Sequence, residues 1–367
     1  MSTPLVVICS QRLGGRDGVA IEAAKWAWAF RRLGWRTRRV AGHFAGPGEA
    51  GDVRLAALWA DEPGGPCPPV EPGAVAAALA GVDLLVLDNA ATLPSAPAAA
   101  LALVDTALRA GVPLVLRHHD PGWQYPGRPD RPDFPLDPPG ATHVAISAVV
   151  ADGLARRRGI RATVLHNRVD TAALAAGERR ATRAVAGVGD DELLVVHPVR
   201  AVARKNIPAA VALCGALERR LGRPVRYWLT APDDAGRYPT DLLAGLCHPP
   251  ILGTVERAAD LYAAADLVAY PSRWEGFGNP PVEAAAAGRL TAAGRYPARA
   301  ELARLGLRCA DADDPAGIAA LLADPAALAA LTVANRRAVE AHLALRDLPE
   351  ELACAVLPAR VAASLPG

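Results

Sequence analysis

Short, nearly unbroken apolar runs alternate with amphipathic stretches along almost the whole chain. The runs at 4–9 (PLVVIC), 83–87 (DLLVL), 113–116 (PLVL) and 142–146 (THVAI) predict buried strands in the first half. Those at 192–196 (ELLVV), 225–229 (VRYWL) and 266–269 (DLVA) predict them in the second. Continuous apolar runs, rather than in–out alternation, are what strands covered on both faces require, as in a parallel sheet. Between them, helical patterning covers 18–33, 97–109, 148–158, 208–221, 257–265, 280–287 and 315–323. Repeated strand–helix–strand alternation predicts an α/β doubly wound architecture, built twice.

A chain of 367 residues is too long for one hydrophobic core and suits two domains of ordinary size. The stretch 167–190 has mixed charge, several Gly and Ala and no strong strand signal, so it reads as a linker between a domain of 1–166 and one of 191–349. Pro/Gly-rich segments at 60–73 and 120–140 predict surface loops, and the second is long enough to suggest a functional loop. No internal repeat of about 20–50 residues is evident, which argues against a solenoid.

Composition narrows the class. Hydrophobic residues are 51% and charged residues 21%, a globular balance that excludes a disordered or fibrous chain. Forty basic against 38 acidic residues give a net charge of +2, so no strong field draws the protein to nucleic acid. Six cysteines (Cys9, Cys67, Cys214, Cys247, Cys309, Cys354) lie far apart with no C-x-x-C, which fits neither a zinc set nor a disulfide framework. The N-terminal apolar run is short and has no basic region before it, and no uncharged span is long enough to cross a bilayer. A cytoplasmic protein is expected. Only Lys25 and Lys205 are lysines among the basic residues, the rest being arginine. In a chain that writes Arg wherever it can, a lysine carries slightly more information.

The strongest chemical signal is Arg273-Trp274-Glu275-Gly276-Phe277-Gly278-Asn279-Pro280-Pro281-Val282-Glu283, after a predicted strand and opening a helix. Asn279 suits the N-cap and Pro280 the first helical position. The glycines let backbone approach a ligand, and a helix N-terminus favours an anion. An anionic group carrying hydroxyls for two carboxylates to grip would fit there. The same segment also reads as a plain strand-to-helix turn with Glu283 complementing the helix dipole. The second signal runs from His197 through Arg200 and Arg204-Lys205 to Asn206, between a strand and a helix. Arginine forks onto phosphate oxygens and lysine offers a compact charge; a solvated basic turn is the plainer reading.

These two segments resemble the retaining GT-B glycosyltransferases of family four. Glu275 and Glu283, with seven residues between them, are similar to that family's E-x7-E motif, and Arg200 with Lys205 to its phosphate-gripping pair. Gly253-Thr254-Val255, followed by 260–267 (DLYAAADL), resembles its nucleoside-side region. Asn167-Arg168-Val169-Asp170 resembles its P-N-G-V-D inter-domain segment, with the Pro and Gly replaced. The resemblance is specific from about 195 to 301. In the first half, Arg12-Leu13-Gly14-Gly15 resembles the family's glycine-rich loop, although a tight turn explains it equally; the spacing to Gly18 is not that of a dinucleotide fingerprint.

The resemblance implies a GT-B fold of two Rossmann-like domains facing a cleft, with a C-terminal helix at 350–364 packing back on the first. It implies a nucleotide-diphosphate sugar as donor and a hydroxyl of a small or glycan acceptor, with the anomeric configuration retained. Arg200, Lys205 and Asn206 would face the diphosphate. So would the backbone of Gly276, Phe277, Gly278, Asn279 and Pro280, with Gly14 and Gly15 nearby and Val255 on the nucleoside side. Glu275 would hold sugar hydroxyls and Glu283 the ribose. No metal would be needed, because cationic side chains and a helix terminus stabilise the leaving diphosphate. Of the histidines in Arg117-His118-His119-Asp120, His119 would approach the donor sugar; it could equally be a structural histidine, or a base supported by Asp120. Trp123, Gln124 and Tyr125 would meet an acceptor or simply anchor their loop. Some members dock on membranes through basic amphipathic surface, and 26–39 mixes three tryptophans with five arginines; one buried and one solvated face is the simpler account. A sugar-nucleotide epimerase or hydrolase on this fold, and a non-catalytic sugar-nucleotide binder, are the rival readings.

Overall fold

The computed structural model describes residues 3–60, 66–92, 96–124, 134–233 and 236–357. The chain divides into two compact units: the first is drawn from residues up to Arg168 and from Arg346 onward, the second from Val169 to Leu345. Each unit is an α/β layer structure with a wholly parallel sheet.

In the first unit the strands are β1 (Leu5–Leu13), β2 (Arg36–Phe44), β3 (Val53–Arg54), β4 (Leu84–Asp88), β5 (Leu114–His118), β6 (Thr142–Ala145) and β7 (Thr163–Val164). They lie in the order β3-β2-β1-β4-β5-β6-β7. The direction of winding reverses between β1 and β4, and ligands of open α/β sheets bind at the carboxyl ends of strands flanking such a reversal. The expected apolar runs became β1, β4, β5 and β6. β2 was not anticipated, because its first residues (RTRR) hide the strand pattern. It pairs with β1 from Leu5↔Arg36 to Leu13↔Phe44, and its arginines are tied down locally: Arg38 donates to the carbonyls of Ala78 and Ala80, and Arg39 pairs with Asp52 at 2.6 Å.

The second unit holds β8 (Leu193–Arg200), β9 (Val225–Ala231), β10 (Ile251–Leu252), β11 (Leu267–Tyr270), β12 (Leu290–Ala293) and β13 (Ala310–Asp311). Their order is β10-β9-β8-β11-β12-β13, so the reversal falls between β8 and β11. Both segments singled out for phosphate and sugar chemistry leave the carboxyl ends of these two strands.

The stretch 167–190 is not a linker. It forms the helices Thr171–Ala175 and Arg179–Val185, which pack on the helix Ala258–Ala264 of the second unit. Its charges misled because they are paired inside: Arg183 is buried, meets Asp266 at 3.0 Å and donates to the carbonyls of Gly189 and Glu192. Gly177 is required there, since a Cβ would lie 2.1 Å from the Ala259 carbonyl oxygen.

The C-terminal helix spans Leu348–Val356, lies against the helix Gly18–Arg32 of the first unit, and is joined to it through an Arg168–Glu351 ion pair. The expected continuation to 364 lies outside the described residues, as does Tyr125.

Segment 26–39 turns most of its aromatics inward, while Trp28 stays partly exposed. Trp26, Phe30 and Trp35 are buried, and none of the exposed large hydrophobics among the described residues comes from it. No single helix among the described residues is long and apolar enough to cross a membrane; the bent pair Pro315–Ala323 and Pro325–His342 passes that test together by length and composition, with a break of 103°.

Candidate active site

The second unit builds a buried charge cluster where β8 and β11 end. After β8 the chain turns through a short 3-10 segment, Ala203–Lys205, and Asn206 takes a left-handed conformation (φ 56°) to start the helix Ile207–Leu221. The segment after β11 is laced to it. Arg273 N donates to the Arg204 carbonyl at 2.9 Å, and Asn206 Nδ2 to the Pro271 carbonyl at 3.3 Å. This lacing holds Glu275 against two cations: Lys205 Nζ lies 2.6 Å from Oε1, and Arg204 Nη1 lies 2.7 Å from Oε2. Glu275 is only 6% exposed. Burial pushes its carboxyl upward, but Lys205 and Arg204 outweigh that and hold it below the usual range. Burial pushes Lys205 down to about 8, opposed by the Glu275 charge. At neutral pH the carboxylate and both cations are charged, so one buried carboxylate is held between two cations.

Tyr270 completes the cluster. Its ring lies 5.0 Å beneath the Lys205 ammonium, which also donates to its hydroxyl at 3.4 Å. His197, at the start of the basic segment, is a structural residue: its Nδ1 meets the Tyr227 hydroxyl at 2.7 Å, and burial, then the Lys205 charge, push it down to about 3.

The helix after Glu275 begins one residue earlier than the sequence suggested. Gly278 is the N-cap (φ 106°) and Asn279 the first helical residue. Gly278 has no room for a side chain, because a Cβ would stand 2.5 Å from the Tyr296 hydroxyl. Pro280 and Pro281 have no N–H, so neither can donate to an anion from the first turn, the expected contribution of Pro280 included. Cationic side chains must carry more of that task than the helix terminus. Glu283, one turn on, accepts from the buried Tyr262 hydroxyl at 2.5 Å.

In the first unit, Asp88 ends β4 and His119 follows β5. His119 Nε2 lies 2.6 Å from Asp88 Oδ1, and Arg117, one residue before His118, pairs with Asp88 at 3.3 Å and with Glu22 at 3.3 Å. The carboxylate supporting His119 is thus Asp88, not Asp120, which instead accepts from Asn89 Nδ2 at 2.7 Å. Burial raises the Asp88 carboxyl, but the charges of Arg117 and His119 hold it low. His118 is occupied with His143 at 3.2 Å, and burial pushes it down to about 3, which makes it structural. Gly14 (φ 74°) and Gly15 follow β1 at the same reversal, where Arg12 pairs with the helix-capping Asp17 at 3.0 Å. Trp123 is buried, with the Arg158 guanidinium 5.9 Å from its ring.

Residues 199–333 match the family of glycosyl transferases group 1. They form a group 1 glycosyltransferase domain. The match takes in Arg200, Lys205, Val255, Glu275 and Glu283. The fold of the whole chain is likewise that of GT-B glycosyltransferases. HepE of Anabaena, crystallised with UDP and glucose, is 18% identical with a TM-score of 0.73, covering 98% of this chain and 99% of its own. Sucrose-phosphate synthase of Thermosynechococcus elongatus is 17% identical with a TM-score of 0.73, covering 96% and 98%. A glycosyltransferase of Rickettsia africae is 15% identical with a TM-score of 0.69, covering 96% and 97%. No curated protein matches the sequence.

Within the glycosyltransferase domain the structure brings together Lys205, Asn206 and Glu275, with the Gly276–Pro280 backbone following directly. It adds Arg204 and Tyr270, which motif reading passed over. Arg204 looked like one more arginine in a basic turn; its neighbour Lys205 was the better signal. Asp88 left no local trace, because its partners lie on other elements; Tyr262 fell inside the nucleoside-side segment, but its bond to Glu283 on another helix was not legible there.

Proposed function

We propose that this protein is a retaining, metal-independent glycosyltransferase that moves a hexose-type sugar from a nucleotide-diphosphate sugar to a hydroxyl of a small or glycan acceptor. The observation that carries the reading is the buried Glu275–Lys205–Arg204 cluster at the winding reversal of the second unit. Two cations beside one carboxylate offer a diphosphate two charged donors. When the donor's diphosphate takes over as counter-ion to Lys205 and Arg204, Glu275 is freed to accept hydrogen bonds from sugar hydroxyls and to favour positive character at the anomeric carbon. Arg200, at the end of β8, joins the same phosphates. As the glycosidic bond breaks, charge builds on the leaving diphosphate, and pre-placed cations stabilise it without reorganising. Glu283 holds the ribose, and Val255 lies on the base side. UDP-sugar complexes of the fold neighbour HepE support a donor of this class. Such donors are made in the cytoplasm, which is where the reading places the protein.

The test is a thermal-shift screen of UDP-, GDP-, ADP- and TDP-sugars, followed by turnover with an acceptor panel. A donor that binds only the folded state raises the melting temperature. Product formed from donor alone would instead indicate an epimerase or hydrolase, and stabilisation without turnover on any acceptor a binder.

A further inference from the structure

The carboxyl ends of β1 and β2 carry an aromatic and cationic surface that neither the phosphate cluster nor the Asp88–His119 pair uses. Arg12 and His43 are register partners across these parallel strands, so their side chains leave the same face of the sheet side by side. Trp59, just after the short 3-10 turn Ala56–Leu58, lies against both. Its indole stacks on the His43 ring at 4.9 Å and 25°, and the Arg12 guanidinium is 6.0 Å from its centroid. Gly42 makes this approach possible, because a Cβ there would stand 2.6 Å from that of Trp59. The loops following the two strands are tightly joined. Ala45 N donates to the Leu13 carbonyl at 2.9 Å, and a Cβ on Gly46 would stand 2.6 Å from the Gly14 carbonyl oxygen. The surface is thus held in place, yet Arg12, His43 and Trp59 all stay partly exposed.

Arg12 is also only half engaged. Arg39, in the middle of β2, closes its guanidinium on Asp52 through two nitrogens, at 2.9 and 2.6 Å. Arg12 gives Asp17 only its Nε, at 3.0 Å, and its two terminal nitrogens have no hydrogen-bond or ion-pair partner among the described residues. Asp17 is itself fixed, because it caps the helix Gly18–Arg32 by accepting from Ala20 N at 3.2 Å. One carboxylate therefore aims a guanidinium whose fork is left open, beside a flat indole, at the ligand-binding end of an α/β sheet.

We propose that Arg12, His43 and Trp59 form the acceptor subsite, and that the acceptor is a sugar bearing an anionic group, phosphate or carboxylate. The proposal rests on the reading of this chain as a glycosyltransferase. That reading gives the donor's diphosphate to the second unit, so an open guanidinium in the first unit calls for an anion on the other substrate. The arginine fork matches the oxygens of a phosphate or carboxylate. An indole takes the C–H face of a sugar ring, while partial exposure lets the ring's hydroxyls stay in water. His43 backs the indole and keeps it flat. A neutral sugar uses Trp59 alone and binds more weakly.

The experiment is calorimetric titration of the full chain, with and without UDP, using glucose 6-phosphate, fructose 6-phosphate, glucuronate and the parent hexoses as probes. It is repeated for Arg12→Gln, Arg12→Lys and Trp59→Leu, with melting temperatures as the folding control. The wild type is expected to bind an anionic sugar about tenfold or more tighter than its neutral parent, the worth of a charge-assisted hydrogen bond. The phosphate and carboxylate probes show which anion is taken. Arg12→Gln should cut the ratio to about threefold or less. Arg12→Lys, which keeps the charge without the fork, should retain part of it and serves if Arg12→Gln folds poorly. Trp59→Leu should weaken charged and neutral sugars alike and leave the ratio in place. No preference in the wild type, or one unchanged in whichever Arg12 variant folds, overturns the proposal. So does unaltered binding of both kinds of sugar in Trp59→Leu. If the preference depends on Arg12 but no nucleotide sugar binds or reacts, the subsite stands and the transferase reading fails. If nucleotide sugars react with neutral acceptors only, the transferase reading stands and the anionic acceptor is overturned.

Discussion

The ammonium of Lys205 and the carboxylate of Glu275 are 2.6 Å apart although 70 residues separate them in the chain, and each is nearly buried. A pair this dry is costly to break from one side, because the remaining charge is left without its counter-ion. The proposed donor substitutes one anion for another at Lys205 and so avoids that cost.

Lys205→Ala should therefore weaken donor use strongly, by about 1.5–3 kcal/mol in kcat/KM, the worth of a charge-assisted hydrogen bond. Lys205→Arg should rescue only in part, since the guanidinium is longer, flat and forked. Steady-state kinetics with the donor found by the thermal-shift screen would check both, and unchanged donor affinity and turnover in Lys205→Ala would overturn the phosphate role.

The same lysine sets a pH limit. Burial brings Lys205 down to about 8, so in the free enzyme the ammonium is present below that value and is lost as pH rises through it. Losing the proton removes the charge that grips phosphate, so kcat/KM is expected to fall on an alkaline limb near pH 8. In Lys205→Arg the limb should vanish from the measurable range, because guanidinium stays charged. A wild-type profile flat to about pH 10, close to the ordinary lysine value, would contradict the assignment.

Exhaustive treatment with EDTA should leave activity intact, since Lys205, Arg204 and Arg200 are proposed to neutralise the leaving diphosphate. Loss of activity restored by magnesium or manganese would refute metal independence.

The anomeric configuration is the sharpest test. With Glu275 on the sugar's hydroxyl side and the departing phosphate able to take the acceptor's proton, the product is expected to keep the donor's configuration. The Asp88–His119 contact of 2.6 Å is the structural argument on the other side, because a carboxylate-supported imidazole is what a general base needs. If His119 were a base, His119→Ala would abolish turnover and remove the acid limb of the pH profile. As a donor contact it should mainly raise the donor KM. Proton NMR of fresh product, read at the anomeric coupling, decides between them, and an inverted anomer would sink the retaining assignment.

Much of this architecture is local. A parallel strand covered on both faces writes itself as an apolar run, which is why β1, β4, β5, β6, β8, β9 and β11 were legible. β2 was not, because Arg38 and Arg39 satisfy their charges through carbonyls and acids brought by the tertiary fold. The spacing from Glu275 to Glu283 and the rare lysine at 205 were likewise visible without a structure, since turn, helix and motif all lie within a few residues of each other. What only the tertiary structure decided is which distant groups meet. The strand order places the ends of β8 and β11 side by side, and that adjacency turns Arg204, Lys205 and Glu275 into one cluster. It gives His119 the carboxylate of Asp88 rather than that of the adjacent Asp120, and it sets the Tyr262 hydroxyl on Glu283. It also converts 167–190 from an apparent linker into packed helices, by burying Arg183 on Asp266. The physical reason is common to all four. Periodicity reports which face of an element is buried, whereas an ion pair or hydrogen bond between elements depends on sheet order and packing, for which a single chain's local pattern holds no record.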